Sequence, residues 1–102
     1  MSDVVLTTLE QAVANSLRLS AASAQVLLPE IQRNIRAAEA ELIRSGVPTS
    51  VIEAQDRPLV DEAVITYCLM NMNDEDKYEM YFNAFTYQQD NLRKTIPEDD
   101  EE

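Results

Sequence analysis

The 102-residue chain predicts an all-α fold, a small bundle of about four helices with a flexible acidic C-terminal tail. Three observations lead there. One Gly and four Pro leave little turn material, whereas Ala, Leu, Glu and Gln are plentiful, a mixture that favours helices over strands. Apolar residues recur at spacings of three and four, the helical period. The length suits one domain with a modest core, and a 45% apolar share is that of a folded protein. The helical domain is assigned to residues 1–94 and the tail to 95–102.

The first helix is expected to start near Thr7 or Thr8. Thr7 with Glu10, or Thr8 with Gln11, has the spacing of a capping box, in which a hydroxyl and a side chain three residues on satisfy free backbone N–H groups. Leu9, Val13 and Leu17 form its apolar stripe, and it ends near Leu19. The second helix is the longest, roughly Ala22 to Ser45, with Leu28, Ile31, Ile35, Ala38 and Leu42 on one face. Pro29 either opens its regular part, where a missing N–H does no harm, or kinks it one turn in. Gly46, the only glycine, stands where a left-handed C-terminal cap is wanted.

Residues 47–56 form a connection that can hold a short helical turn. Asp56 is expected to cap the third helix, with Pro58 in its first turn and Asp61 and Glu62 at the positive end of its dipole. Val60, Ala63, Val64 and Tyr67 make one apolar row, and Ile65, Cys68, Leu69, Met70 and Met72 put apolar groups on other faces. A helix apolar nearly all round is a buried one, so this is expected to be the central helix. Asn73 or Asp74 caps a fourth helix that runs to about Lys94. Pro97 stops further helix, and the acidic remainder is expected to be disordered.

The charge narrows the function. Nineteen acidic residues face 8 basic ones, giving a net charge of −11. Without the terminal run Glu98 to Glu102, 14 acids still face 8 bases. A surface built to grip phosphate needs clustered Lys and Arg, which this chain lacks; an acidic wall instead lets DNA pass without sticking. A second reading of the same charge is an acidic DNA mimic that inhibits a basic nucleic-acid-binding protein. That reading needs carboxylates spaced along one rigid face, and here they are scattered over helix starts and the tail.

Chemistry of the catalytic kind finds little support. The chain has no His and one Cys, so the usual nucleophile–base pairs are missing, and Cys68 reads as a small buried apolar residue. Paired carboxylates such as Asp61 and Glu62 read as helix-start charges. The NMNDEDKYE stretch lacks the glycine and the twelfth-position glutamate of a calcium loop, Phe85 standing at that position. No enzyme activity, metal or cofactor is therefore expected. The N-terminus shows no basic region or long apolar run, and no segment reaches the length that spans a bilayer, so a soluble intracellular product without membrane contact is expected.

Five of the six aromatic residues fall between Tyr78 and Tyr87. Tyr78, Tyr81 or Phe82, Phe85 and Leu92 share one helical face and read as core. Tyr87 lies roughly 200° around the helix from Phe85, at about 100° per residue. One helix cannot bury all five rings against small neighbours, so Tyr87 and one neighbour, Tyr81, are assigned to a subunit or partner contact.

The run D-R-P-L-V-D-E-A-V-I-T-Y, Asp56 to Tyr67, resembles a pattern of tailed-phage head–tail connector proteins, also called adaptor or head-completion proteins. There a helix carrying L-V-x-x-A-V-x-x-Y precedes an acidic cap and a last helix rich in Tyr and Phe. The segment Leu27 to Val47 is similar to that family's long second helix ending in Gly. The resemblance covers about Leu9 to Leu92 and rests on helix-packing patterns. It implies a virion protein at the head–tail interface, made in the host cytoplasm. Such a protein is a monomer when free and forms a ring of about a dozen copies on the portal. The ring extends the DNA channel, which DNA crosses without specific binding, and offers a docking surface for the stopper or tail protein. By the same resemblance Leu59, Val60, Ala63, Val64 and Tyr67 are core. Thr95, Ile96 and Pro97 begin an arm that orders on the portal. The blunt EDDEE ending departs from the family's pattern.

Overall fold

The computed structural model describes residues 5–94; the tail, with Thr95, Ile96 and Pro97, lies outside them. Among the described residues there is no strand, and the class is all-α. The helices are α1, Thr8–Ser16; α2, Ala21–Ser45; α3, Thr49–Ile52; α4, Pro58–Met72; and α5, Tyr78–Arg93. Four are long, and α3 is a single turn in the connection before α4.

Each boundary has a local cause. Thr7 Oγ1 accepts the Glu10 N–H at 3.1 Å while Glu10 Oε1 accepts the Thr7 N–H at 2.9 Å, a capping box. Instead of reaching Leu19, α1 ends at Ser16. Arg18 turns into the left-handed region at φ 60°, and the Leu19 N–H bonds back to the Ala14 carbonyl at 3.0 Å. Ser20 Oγ accepts the Ser23 N–H and starts α2 at Ala21, which places Pro29 inside the helix, in its third turn. Gly46 has φ 116°, and the Val47 N–H reaches the Leu42 carbonyl at 3.0 Å, the long bond of a Schellman motif. The Val47 side chain is buried behind it.

Asp56 does not cap α4. The cap position is Arg57, which makes no side-chain capping bond. Pro58 explains the shift: it occupies the first helical position, has no N–H to satisfy, and keeps the residue before it out of the helical region. The Arg57 side chain is spent on tertiary contacts. Its Nη2 donates to Glu39 Oε2 at 2.7 Å, its Nε to Asp61 Oδ1 at 3.0 Å, and its Nη1 to the Ile52 carbonyl. One guanidinium thereby joins α2, α3 and α4. Nor does Asn73 or Asp74 cap α5 through a side chain; a 3₁₀ turn, Glu75–Lys77, leads into it.

The core is one continuous layer centred on α4. Val60, Ala63, Val64 and Cys68 of α4 meet Ile31, Ala38 and Leu42 of α2, Val13 and Ala14 of α1, and Phe85 and Leu92 of α5. Leu28 is buried, and Ile35 and Tyr67 are partly buried against the layer. Three expected core residues are not in it: Leu59, Phe82 and Tyr78, the last of which is exposed on α5. Leu59 is 68% exposed: it shares an arc with Ala63 and Thr66 but stands in the first turn of α4, where no described residue covers it. Phe82 is 47% exposed because α5 packs chiefly on α4, and a single neighbour covers only one stripe of a helix.

The chain reverses between α2 and α4 and again between α4 and α5, so α2 and α5 run in the same direction. Two contacts set their levels. A Cβ on Gly46 would stand 3.7 Å from Arg93 Nε, and the Gln89 amide lies beside Glu41. Positions on the two helices about 47 residues apart are therefore at the same height. The molecule is 17 Å across its Cα atoms in the thinnest direction, a slab rather than a ball.

Candidate docking surface

The aromatic cluster divides by which side of α5 each ring occupies. Phe85 is 4% exposed and meets Tyr67 edge-on, ring centroids 5.3 Å apart at 64°. Tyr81 is half-buried on the same side. Tyr78 and Phe82 stack on each other at 6.1 Å and 12°, one turn apart, and are exposed. Tyr87, 70% exposed, stands on the outer face with Met80 and Ala84, at the i, i+4, i+7 spacing of a helical stripe. More rings thus face out than the sequence suggested, and Tyr78 joins Phe82 among them.

The charges around this surface are largely unmatched among the described residues. Glu75, Asp76 and Glu79 are exposed beside Tyr78 and Phe82, and none of them forms an ion pair among the described residues. Asp90, at the other end of α5, is paired with Arg93 and Lys94. On α2, Arg44 holds Glu41 at 2.6 Å and, with help from the Gln89 amide, keeps that carboxyl below its usual range. Gln89 Nε2 is buried and falls short of a hydrogen bond. Arg33 and Arg36 are exposed and take part in no ion pair among the described residues.

The outer face of α2 is apolar at both ends. Val26 is 77% exposed beside an open depression of about 350 Å³ lined by Ala22, Ser23, Val26 and Leu27, and Ile43 is exposed near the other end.

No three His, Cys, Asp or Glu side chains are placed to hold a metal among the described residues. Cys68 is fully buried, and that burial pushes its thiol up to about 12. Asp61 is engaged by Arg57, while Glu62 points to solvent. No described helix is long and apolar enough to cross a membrane. No protein-family model matches the chain, and no curated protein or solved structure matches it.

Proposed function

We propose that the chain is a structural assembly protein of a tailed phage, a head–tail connector that forms a ring on the portal and presents the docking surface for the next component. The observation that carries this reading is the α5 surface. Tyr78, Met80, Phe82 and Tyr87 stand exposed on one helix of an all-α slab, rimmed by carboxylates that form no ion pair among the described residues. Tyr, Phe and Met are the side chains enriched at the cores of protein interfaces, and exposed groups of this kind mark sites of contact. The helix carrying Leu59, Val60, Ala63, Val64 and Tyr67 resembles the connector pattern, and it forms the centre of the bundle. A net charge of −11 suits the wall of a channel that DNA must cross without adhering.

In mechanism such a protein acts by ordered assembly. The monomer leaves its aromatic and charged faces in water, and the portal supplies the first surface on which neighbouring copies reach a high local concentration. The test is electron microscopy of the protein incubated with portal rings from the same phage. A second ring of density below the portal is expected, and portal rings that stay bare refute the proposal.

A further inference from the structure

The exposed positions of α2 form a stripe of their own. Val26, Pro29, Arg33, Arg36, Ala40 and Ile43 follow one another at spacings of three and four, and all are exposed. This is the spacing with which one helix seats against another. The stripe lies opposite the buried face carrying Leu28, Ile31 and Leu42, so no described residue competes for it. Apolar at its ends and basic in its middle, it is the complement of the α5 surface, which is apolar along Met80, Ala84 and Tyr87 and acidic at its start.

We propose that the outer stripe of α2 in one copy receives the outer face of α5 from a second copy of this chain, an inference that rests on the ring-forming role proposed above. Two observations choose this occupant. The first is charge: among the described residues Arg33 and Arg36 form no ion pair, and neither do Asp76 and Glu79. The second is height. With α2 and α5 level at an offset of about 47 residues, a copy displaced sideways sets Arg33 beside Met80 and Ala40 beside Tyr87. The remaining difference in level is about one helical turn, ~5.4 Å, which the long Arg33 and Arg36 side chains can span to Asp76 and Glu79.

The net charge of −11 on each copy opposes the contact only at a distance. At physiological salt, charges beyond ~8 Å are screened, so the pairs in contact decide the sign. Because the two faces differ, the contact is head-to-tail, and repeating it closes a ring or runs on as a filament.

A charge exchange tests this in the full chain without any portal. Arg33→Glu with Arg36→Glu makes both faces of a copy acidic; Asp76→Lys with Glu79→Lys makes both basic. All four positions are exposed, so both double variants are expected to keep the wild-type circular dichroism spectrum. Sedimentation velocity at millimolar protein should show self-association of wild type and roughly a hundredfold weaker association of either variant alone, since like charges in contact are strongly disfavoured. Mixed together, the two variants should assemble again, in alternation. Wild type that stays monomeric, or a mixture no better than its parts, overturns the proposal. Variants that associate alone like wild type overturn it too, and leave the connector reading standing if portal rings still take up the protein. Bare portal rings alongside a restored mixture do the reverse.

Discussion

Phe82 and Phe85 are three residues apart on one helix and chemically identical, yet the fold gives them opposite tasks. Replacing Phe85 by Ala removes a ring that is 4% exposed and packed edge-on against Tyr67 at 5.3 Å. The loss combines the transfer energy of the ring with the cavity it leaves, about 3–5 kcal/mol for Phe→Ala in a core. The whole stability of a domain this size is about 5–15 kcal/mol, so the variant surrenders a large part of it. With a urea slope near 2 kcal/mol per M, the unfolding midpoint should fall by roughly 2 M. Phe82→Ala removes a ring whose main partner is Tyr78 at 6.1 Å, in the open. Its cost should stay below about 1 kcal/mol, the worth of a stacked pair plus an ordinary surface change. Urea titration of both variants followed by far-ultraviolet circular dichroism decides the matter. Equal losses, or a larger loss for Phe82, would refute the assignment of Phe85 to the core and Phe82 to the surface.

Arg57→Ala should destabilise by about 2 kcal/mol, because it strips a charged partner from Glu39 and Asp61 and leaves the Ile52 carbonyl bare. Arg57→Lys should recover less than half of that in the same titration, since one ammonium cannot reach three acceptors held in a fork. Gly46→Ala should cost about 1 kcal/mol or more from backbone alone, because φ is 116° while the nearest atom to a new Cβ is 3.7 Å away. Arg18→Gly should move the melting temperature slightly the other way, as it relieves a left-handed Arg at φ 60°. Cys68 should resist a thiol-specific reagent at pH 8 in the folded protein and react at once in urea. Its pKa is raised to about 12, so the stability this burial confers is complete below the ordinary thiol range and declines as pH climbs from about 9 towards 12.

The parts of the fold that could be read from the sequence are those decided within a turn or two of chain. A hydroxyl three residues before Glu10 and a lone glycine after the last apolar repeat are local signals, and Thr7 and Gly46 occupy those conformations. The apolar row from Val60 to Tyr67 likewise marks which side of α4 turns inward. What periodicity does not contain is where a neighbouring helix begins and ends. Leu59 and Phe82 lie within the apolar patterns of their helices, yet each stands where a thin slab has no second layer to cover it. Asp56 is displaced as a cap by a rule about the residue before proline, which competes with the capping preference one position away. Arg18 carries no signal at all, because a left-handed Arg looks like any other surface cation. The candidate surface was visible as a surplus of rings, with Phe85 inward and Tyr87 outward, but Tyr78 and Phe82 fell on the other side of the division from the one expected. That division depends on α5 having one main neighbour, a fact of topology rather than of spacing.

The central place of α4 has a consequence for the order of events as the chain is made. The buried faces of α1 and α2, with Val13, Ile31 and Leu42, are completed chiefly by Val60, Ala63 and Val64. The first half of the polypeptide therefore leaves the ribosome with its apolar stripe uncovered and can at most form fraying, transient helices. Relief comes quickly, since at ~5–20 residues per second the rest of α4 follows within seconds. Because α4 then finds α5 next in sequence across a short turn, the late steps join near neighbours, the circumstance in which helical chains fold fastest. Synthesis paused after α2 is thus the moment of greatest exposure to aggregation, and the turn between α4 and α5 is where that exposure ends.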